Sequence, residues 1–478
     1  MTAGLRDYRP ALHISAPVGW MNDPNGLSFV DGVWHVFYQS NPQGHWFGTM
    51  QWGHVSSTDL LRWDQHPPAL VPSQEADEDG CWSGCVVLDN GVPRAFYTGV
   101  RSLGRDQWTQ AVCTATSDAD LLRWRKAADN PLATPLPTNL VVLGLRDPFV
   151  WKTDGGWAMI LGTGIATRGG AILLFTSSDL QAWTYEGVVF GDPVEDSESL
   201  WTGRFWECPA MIPVGDGSEH LLMFSVWDDA VEPTLHYTVY AIGVFDGVRF
   251  AATCLDRVDH GVSFYAGTVF LHDDGRALIW GWLREALSTQ GREAQDFAGC
   301  LTFPREVSWS KGIVEFRPAR ELEALRHDEW RSERQVLAPG CPTIRTTDPR
   351  QPLEIEVEFS IVDADEVGVG LRATADRTEE TVIRYFPAEA ALRVDRQRSS
   401  SYPEAIVGIS TVRLLLKPDE LLRLRILLDN SVLEVFANER VVITERIYPV
   451  RPDGIYNYAY VIGGTANLEK MITWTLGT

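Results

Sequence analysis

The chain has 478 residues, 45% of them apolar, which exceeds what one hydrophobic core organises and predicts two or three domains. Its formal charge of −23 excludes a polyanionic partner, because affinity for phosphate backbones needs clustered Lys and Arg; no nucleic acid is expected, and a neutral small molecule fits better. No apolar run approaches the ~18 residues of a membrane helix, and the opening "MTAGLRDYRPALH" lacks the apolar stretch of a signal peptide, so the expectation is a soluble, cytoplasmic protein without membrane contact.

The first notable segment, "GWMNDPNGL" at 19–27, places Asp23 before a proline that favours extended backbone, with Asn25-Gly26 turning the chain immediately afterwards. The carboxylate is thereby fixed on a short rigid segment. Strand-like runs follow, "GVWHVFYQ", "VPRAFYTGV", "GGWAMILGTG" and "HLLMFSVW", each bounded by turn residues. Among them a motif recurs: "STDLLRW" ending at Trp63, "DADLLRW" ending at Trp124, "SSDLQAW" ending at Trp183, and a degenerate fourth copy, "VFDGVRF", at 244–250. A repeat of roughly 60 residues holding several short strands and no helical pattern predicts the blades of a β-propeller.

Two further carboxylates sit in apolar surroundings. "LGLRDPFVW" holds Arg146 and Asp147 where an unneeded charge pair would be costly to bury, and "RFWECPAMI" holds Glu207 where desolvation favours a general acid working near neutral pH. Asp23, Asp147 and Glu207 fall in different repeat units, and a propeller brings equivalent strand ends together around one axis. Two carboxyl groups flanking a scissile bond, amid tryptophans that can cover sugar faces, suggest glycoside hydrolysis. No GxSxG, HExxH or P-loop is present. The seven cysteines, scattered from Cys81 to Cys341 without CxxC spacing, read as free thiols, and no metal or organic cofactor is implied.

Near residue 320 the texture changes. "PARELEALRHDEWRSER" is charged and weakly helical and reads as a linker over 321–335; 17 of the 19 tryptophans precede it. The remainder, 336–478, alternates at period two, as in "LEIEVEF" at 353–359, and "LLRLRILLDNSVLEVFANERVVITERI" reads as strands joined at Asp429-Asn430 and Ala437-Asn438. An antiparallel β-sandwich is expected there, so the whole chain is predicted to be all-β.

The motifs "HISAPVGWMNDPNGL", "WFGTMQWGHVSSTDLLRW", "GCWSGCVV", "LRDPF", "WECP", "SFYAGTVF", "WGWL" and "LTFPREVSW" occur in this order, and with them the chain resembles the β-fructofuranosidases of glycoside hydrolase family 32, the invertase, levanase and inulinase group. The resemblance implies a five-bladed propeller over 1–320 followed by the sandwich. It implies that Asp23 is the nucleophile, Glu207 the acid/base and Asp147 the transition-state stabiliser. It further implies that Asn22, Gln39, Trp46, Trp52, Ser83 and Arg146 line the fructose subsite, with Trp82 and Trp282 as apolar walls. A retaining mechanism places the Asp23 and Glu207 carboxyl groups about 5 to 5.5 Å apart. Terminal β-fructofuranosides such as sucrose or short fructooligosaccharides are the expected substrates, with transfructosylation or sucrose 6-phosphate hydrolysis as alternatives sharing the triad, and a non-catalytic fructan-binding propeller as a remote one. Either a monomer or a homodimer is compatible. Two departures from the family pattern, Ala210 and Ser263, are expected to remove a polar group near the mouth of the site.

Overall fold

The computed structural model describes residues 7–104, 107–166, 168–191, 200–228, 234–310 and 312–478. Five antiparallel sheets follow one another around a ring. Blade I runs from Gly19–Val30 through Val33–Asn41 and Gln51–Ser57 to Asp64–Leu70, and blade II from Gly80–Asp89 through Val92–Gly104 and Gln107–Ser117 to Trp124–Lys126. Blade III comprises Val142–Thr153, Gly156–Ile165, Gly169–Ser177 and Thr184–Phe190; blade IV comprises Phe205–Val214, Glu219–Asp228, Thr234–Phe245 and Phe250–Arg257. Blade V has Phe264–Leu271, Ala277–Leu283, Arg305–Ser310 and Ile313–Pro318. The first strand of each blade is the inner one. In blade I it is buried along nearly its whole length, whereas the outermost, DQHPPAL, is mostly exposed.

The repeated Asp-Leu-x-x-Trp motif is the turn from the third strand to the outermost. Asp59 Oδ1 accepts the backbone N–H groups of Leu61 and Arg62 at 2.9 and 2.8 Å, and Asp179 Oδ1 those of Gln181 and Ala182, both at 2.9 Å. The degenerate copy does the same: Asp246 Oδ1 accepts from Val248 and Arg249 at 2.9 and 2.7 Å. Leu60, Leu121 and Leu180 all take left-handed backbone, with φ of 64°, 56° and 64°. That conformation costs a branched residue roughly 1–2 kcal/mol. All three are buried, a gain of about 1.5–3 kcal/mol each, so the leucine is retained. In blade IV Gly247, at φ 99°, takes this place without strain.

The ring is closed by a short splice. Within a loop of blade V, Phe297–Ala298 pairs in parallel with Gly19 and Trp20 of blade I, while Cys300–Leu301 pairs with Leu283 and Trp282 of blade V.

Two further sheets, of seven and six strands, stack into a sandwich around a core that includes Ile355, Val369, Ile383, Ile426 and Val435. Within the stretch expected to be a linker, only Arg320–Leu325 is a 3-10 turn, and its Leu322 and Leu325 are buried. Arg326–Arg331 pairs with Ala466–Leu476 as a strand of the seven-stranded sheet. The charge that suggests a linker is matched inside the fold: Arg326 pairs with Glu354 at 2.7 Å and lies 4.2 Å from the Trp474 ring.

Propeller and sandwich share a hydrophobic cluster that includes Phe303, Leu325, Phe436 and Val442. Across the same contact Arg305, fully buried, binds Asp259 at 2.8 Å and Glu434 at 2.5 Å, and His13 sits between Asp429 at 2.8 Å and Glu434 at 3.1 Å. Burial opposes a charge on His13, but the two carboxylates raise its pKa above the ordinary histidine value. No described helix is long and apolar enough to cross a membrane.

Candidate active site

All five inner strands break their pairing at the same level. In blade I, residues 22 and 23 stand opposite the single residue Gln39; in blade III, 147 and 148 oppose Leu161. Residues 208 and 209 of blade IV and 266 and 267 of blade V repeat the pattern, and in blade II the one extra residue is Ser83. A bulge re-aims the side chains at the break. The backbone shows the strain of doing so, since Asp147, Cys208 and Ala266 have φ of 61°, 50° and 50°. The residue after each is Pro148, Pro209 or Gly267, which resumes the strand.

The bulges meet one another. Ser83 Oγ donates to Asp23 Oδ2 at 2.6 Å, Gln39 Nε2 donates to the same oxygen at 2.9 Å, and Asn22 Nδ2 donates to Asp23 Oδ1 at 3.0 Å. The Cys208 backbone N–H donates to Asp147 Oδ2 at 2.9 Å, and its Sγ lies 3.4 Å from Asp23 Oδ2. Asp147 N–H donates to Thr98 Oγ1 at 2.8 Å. Just before the breaks, Arg146, Glu207 and Tyr265 occupy equivalent positions on blades III, IV and V and form one chain. Arg146 Nη2 binds Glu207 Oε1 at 2.7 Å and Tyr265 OH donates to Glu207 Oε2 at 2.5 Å. Phe205 backs the guanidinium, 3.8 Å from its ring centre.

Burial raises the pKa of Asp23 and the Glu207 charge adds to this, against the pull of hydrogen bonds from Ser83, Asn22 and Cys208. Burial lifts Asp147 to about 7, opposed by Arg146 and reinforced by Glu207. Burial and the same carboxylates hold the Cys208 thiol well above its usual range, so it remains S–H and donates towards Asp23. The site thus offers one carboxylate surrounded by donors, a second clamped between a guanidinium and a phenol, and a third poised to hold or release a proton near neutrality.

Asn22, Asp23, Gln39, Ser83 and, through Cys208, Asp147 therefore share one hydrogen-bonded cluster; Arg146 and Glu207 form a second beside it, joined to the first by the ion pair of Arg146 Nε with Asp147 Oδ2 at 3.8 Å. Trp82, next to Ser83, begins an aromatic row with Phe47 at 5.3 Å and Trp108 at 6.4 Å; Phe47, Trp108 and the neighbouring Trp46 are about half exposed. Trp282 is buried beside Trp20 and Tyr265, 5.4 and 6.4 Å away. Trp52 is placed differently: it is fully buried between blades I and II with Phe37, Leu70 and Tyr97, and its Nε1 donates to Trp82 O at 2.9 Å. It supports the Trp82–Ser83 segment from beneath and presents no face to a ligand. Nor do the two family departures touch the mouth. Ala210 lies past the blade IV bulge, fully buried in the core, and Ser263 is buried against the sandwich, its Oγ accepting the Arg446 N–H at 3.1 Å.

Tyr265 escaped the sequence reading. Its signal is the alignment Arg-Asp-Pro, Glu-Cys-Pro, Tyr-Ala-Gly across three blades, which becomes visible once the blades are superposed.

Residues 13–318 match the glycosyl hydrolases family 32 N-terminal domain, and 321–475 match the family 32 C-terminal domain. The sucrose-6-phosphate hydrolase of Escherichia coli is 33% identical over 98% of this chain and 95% of its own length, and the raffinose invertase of Escherichia coli 34% over the same shares. In structure, the chain is similar to fructan 1-exohydrolase IIa from Cichorium intybus, with a TM-score of 0.87 at 25% identity over 99% of this chain and 98% of that one; a Glu-to-Gln variant of that enzyme has been solved in complex with 1-kestose. With both domain matches spanning nearly its whole length, the chain belongs to glycoside hydrolase family 32 and is a β-fructofuranosidase-type enzyme.

Proposed function

We propose that the enzyme releases fructose from non-reducing terminal β-D-fructofuranosides with retained configuration, through a fructosyl-enzyme on Asp23. The observation that carries this reading is the division of labour between two carboxyls: Asp23 is wrapped in donors and Glu207 is clamped by Arg146 and Tyr265.

In the first step Asp23 Oδ attacks the anomeric carbon, the bond from that carbon to the leaving oxygen breaks, and Glu207 gives that oxygen its proton. Each Glu207 oxygen accepts one hydrogen bond in the free site, which leaves a second lone pair on each to carry the proton that is transferred. In the second step Glu207 removes a proton from water, whose oxygen bonds to the anomeric carbon as the Asp23 ester breaks. Asp147, anchored by the Cys208 amide, is assigned to the fructose hydroxyls, whose hydrogen bonds strengthen as charge develops. We assign Asn22, Gln39, Ser83 and Arg146 to the fructosyl subsite, and Trp46 and Trp82 to its apolar walls.

Sucrose and short fructooligosaccharides are the proposed substrates, supported by the aromatic row Phe47, Trp82 and Trp108, which suits one or two further sugar rings. All seven cysteines are unpaired, which supports a reducing, cytoplasmic setting for a monomer or homodimer. The test is product analysis with sucrose, sucrose 6-phosphate and 1-kestose for the wild type, Asp23→Ala and Glu207→Ala, with the anomeric form of the first fructose followed by NMR. Activity in Asp23→Ala, or inverted fructose from the wild type, would overturn the proposal. Excess glucose with new trisaccharides would make the enzyme a transferase on the same triad.

A further inference from the structure

The splice that closes the propeller is held from outside it. Glu285, just past the second strand of blade V, accepts the Gly299 N–H on Oε1 at 2.8 Å. The same oxygen binds Arg446 Nη1 at 2.7 Å, and Oε2 accepts the Tyr448 hydroxyl. Arg446 and Tyr448 belong to the sandwich. The Arg446 side chain is fully buried, donates through Nη2 to Ser431 Oγ at 2.9 Å and reaches Cys300 Sγ at 3.4 Å.

There is no slack at the point of attachment. Gly299 sits at φ 85°, and a Cβ there would lie 2.1 Å from Met21 O and 2.8 Å from Trp282 Nε1. One residue earlier, Ala298 pairs with Trp20. Trp20 Nε1 donates to Asn22 Oδ1 at 3.0 Å, and Asn22 Nδ2 donates to Asp23 Oδ1 at 3.0 Å. Because an indole N–H can only donate, it fixes the Asn22 amide with its NH₂ turned to Asp23. An ion pair buried as deeply as Arg446–Glu285 is a poor way to gain stability, since well-packed apolar residues do as well or better. Its presence here fits a need for a fixed position.

We propose that Arg446 is a positioning residue for the nucleophile, acting from the sandwich through Glu285, the 297–301 splice, Trp20 and Asn22 on Asp23. This rests on the reading of Asp23 as the nucleophile. It gives the second domain a part in catalysis that no contact with substrate requires.

The test compares full-length Arg446→Lys, Gly299→Ala and Trp20→Phe with a control, Glu439→Gln, which breaks the exposed propeller–sandwich pair Arg317–Glu439. For each, kcat, KM, the pH profile of kcat/KM on sucrose and the melting temperature are measured. The three relay variants are expected to lose roughly 10- to 100-fold in kcat with KM changed by less than about twofold. Their acid limb should move up by about one pH unit, as the Asn22 hydrogen bond to the carboxylate slackens. The control should keep wild-type kcat and acid limb. Trp20→Phe lies within the propeller and tests the final link even where Arg446→Lys folds poorly. Lower melting temperatures with unchanged kcat and acid limb would overturn the proposal, as would a wild-type acid limb in Trp20→Phe. If Asp23→Ala remained active, the nucleophile assignment itself would fail; if it were inactive while the relay variants matched wild type, only the relay would fail.

Discussion

Replacing Ser83 by alanine removes the hydroxyl that lies 2.6 Å from Asp23 Oδ2. A hydrogen bond to a charged acceptor is worth about 1.5–3 kcal/mol, equivalent to about one or two pKa units on the carboxylate. Gln39 Nε2 is shared between Ser83 Oγ at 2.5 Å and Asp23 Oδ2 at 2.9 Å. Freed from Ser83, it turns fully to the carboxylate and recovers part of the loss, so the lower figure, about one unit, is expected. The direction follows from the environment: burial already raises Asp23, and Ser83 is the strongest of the groups pulling it back. The acid limb of kcat/KM on sucrose should therefore rise by about one pH unit. One unit below the wild-type midpoint the variant should be roughly tenfold slower than wild type, whereas on the plateau the two should agree within about threefold. The assay is initial-rate kinetics across the full pH range, with circular dichroism to confirm the fold. A uniform loss at every pH, with the limb unmoved, would refute the reasoning and show that Ser83 acts on the sugar alone, without setting the nucleophile's charge.

Asp147→Asn keeps shape and tolerates the left-handed backbone, so the protein should fold while kcat/KM drops by on the order of 10²–10³; a variant retaining a tenth of wild-type activity would rule out the stabilising role. Arg305→Met leaves Asp259 and Glu434 without their shared guanidinium and should cost about 3–5 kcal/mol in denaturant unfolding; a loss below about 1 kcal/mol would show the charge network to be dispensable. Burial holds His35 at about 4 and His54 at about 2, below the ordinary 6.5, so the unfolded chain takes up protons first and these residues make stability fall as pH drops from 6.5 towards 4. His54→Gln should make that decline shallower in urea titrations at stepped pH, and an unchanged slope would contradict the assignment.

The Asp-Leu-x-x-Trp repeat was legible because the same turn is built with the same side chains in three blades, and its Asp246 copy survives with glycine in place of leucine. Asp23, Asp147 and Glu207 were legible because each stands among apolar neighbours beside a proline or a Cys-Pro. The strand over 326–331 was not, since its charges look solvated in one dimension and find Glu354 only in three. Trp52 misled for a related reason: an aromatic near a functional motif reads the same whether it faces a ligand or the core, and only its 0% exposure decides. Tyr265 was missed because its partner, Glu207, lies 58 residues away on another blade.

Each inner strand restarts its alternation at the bulge, so a single strand serves two compartments on either side of one or two residues. Glu207 belongs to the pocket, whereas Ala210, Met211 and Ile212, just beyond, belong to the hydrophobic packing. Catalysis and folding are thereby written within a few residues of one another, with Trp206, just before Glu207, also belonging to the packing. Mutations at Glu207 and mutations at Ala210, Met211 or Ile212 would be selected on different traits, the first on turnover and the second on abundance. Such a lineage can change what it hydrolyses while inheriting its scaffold intact.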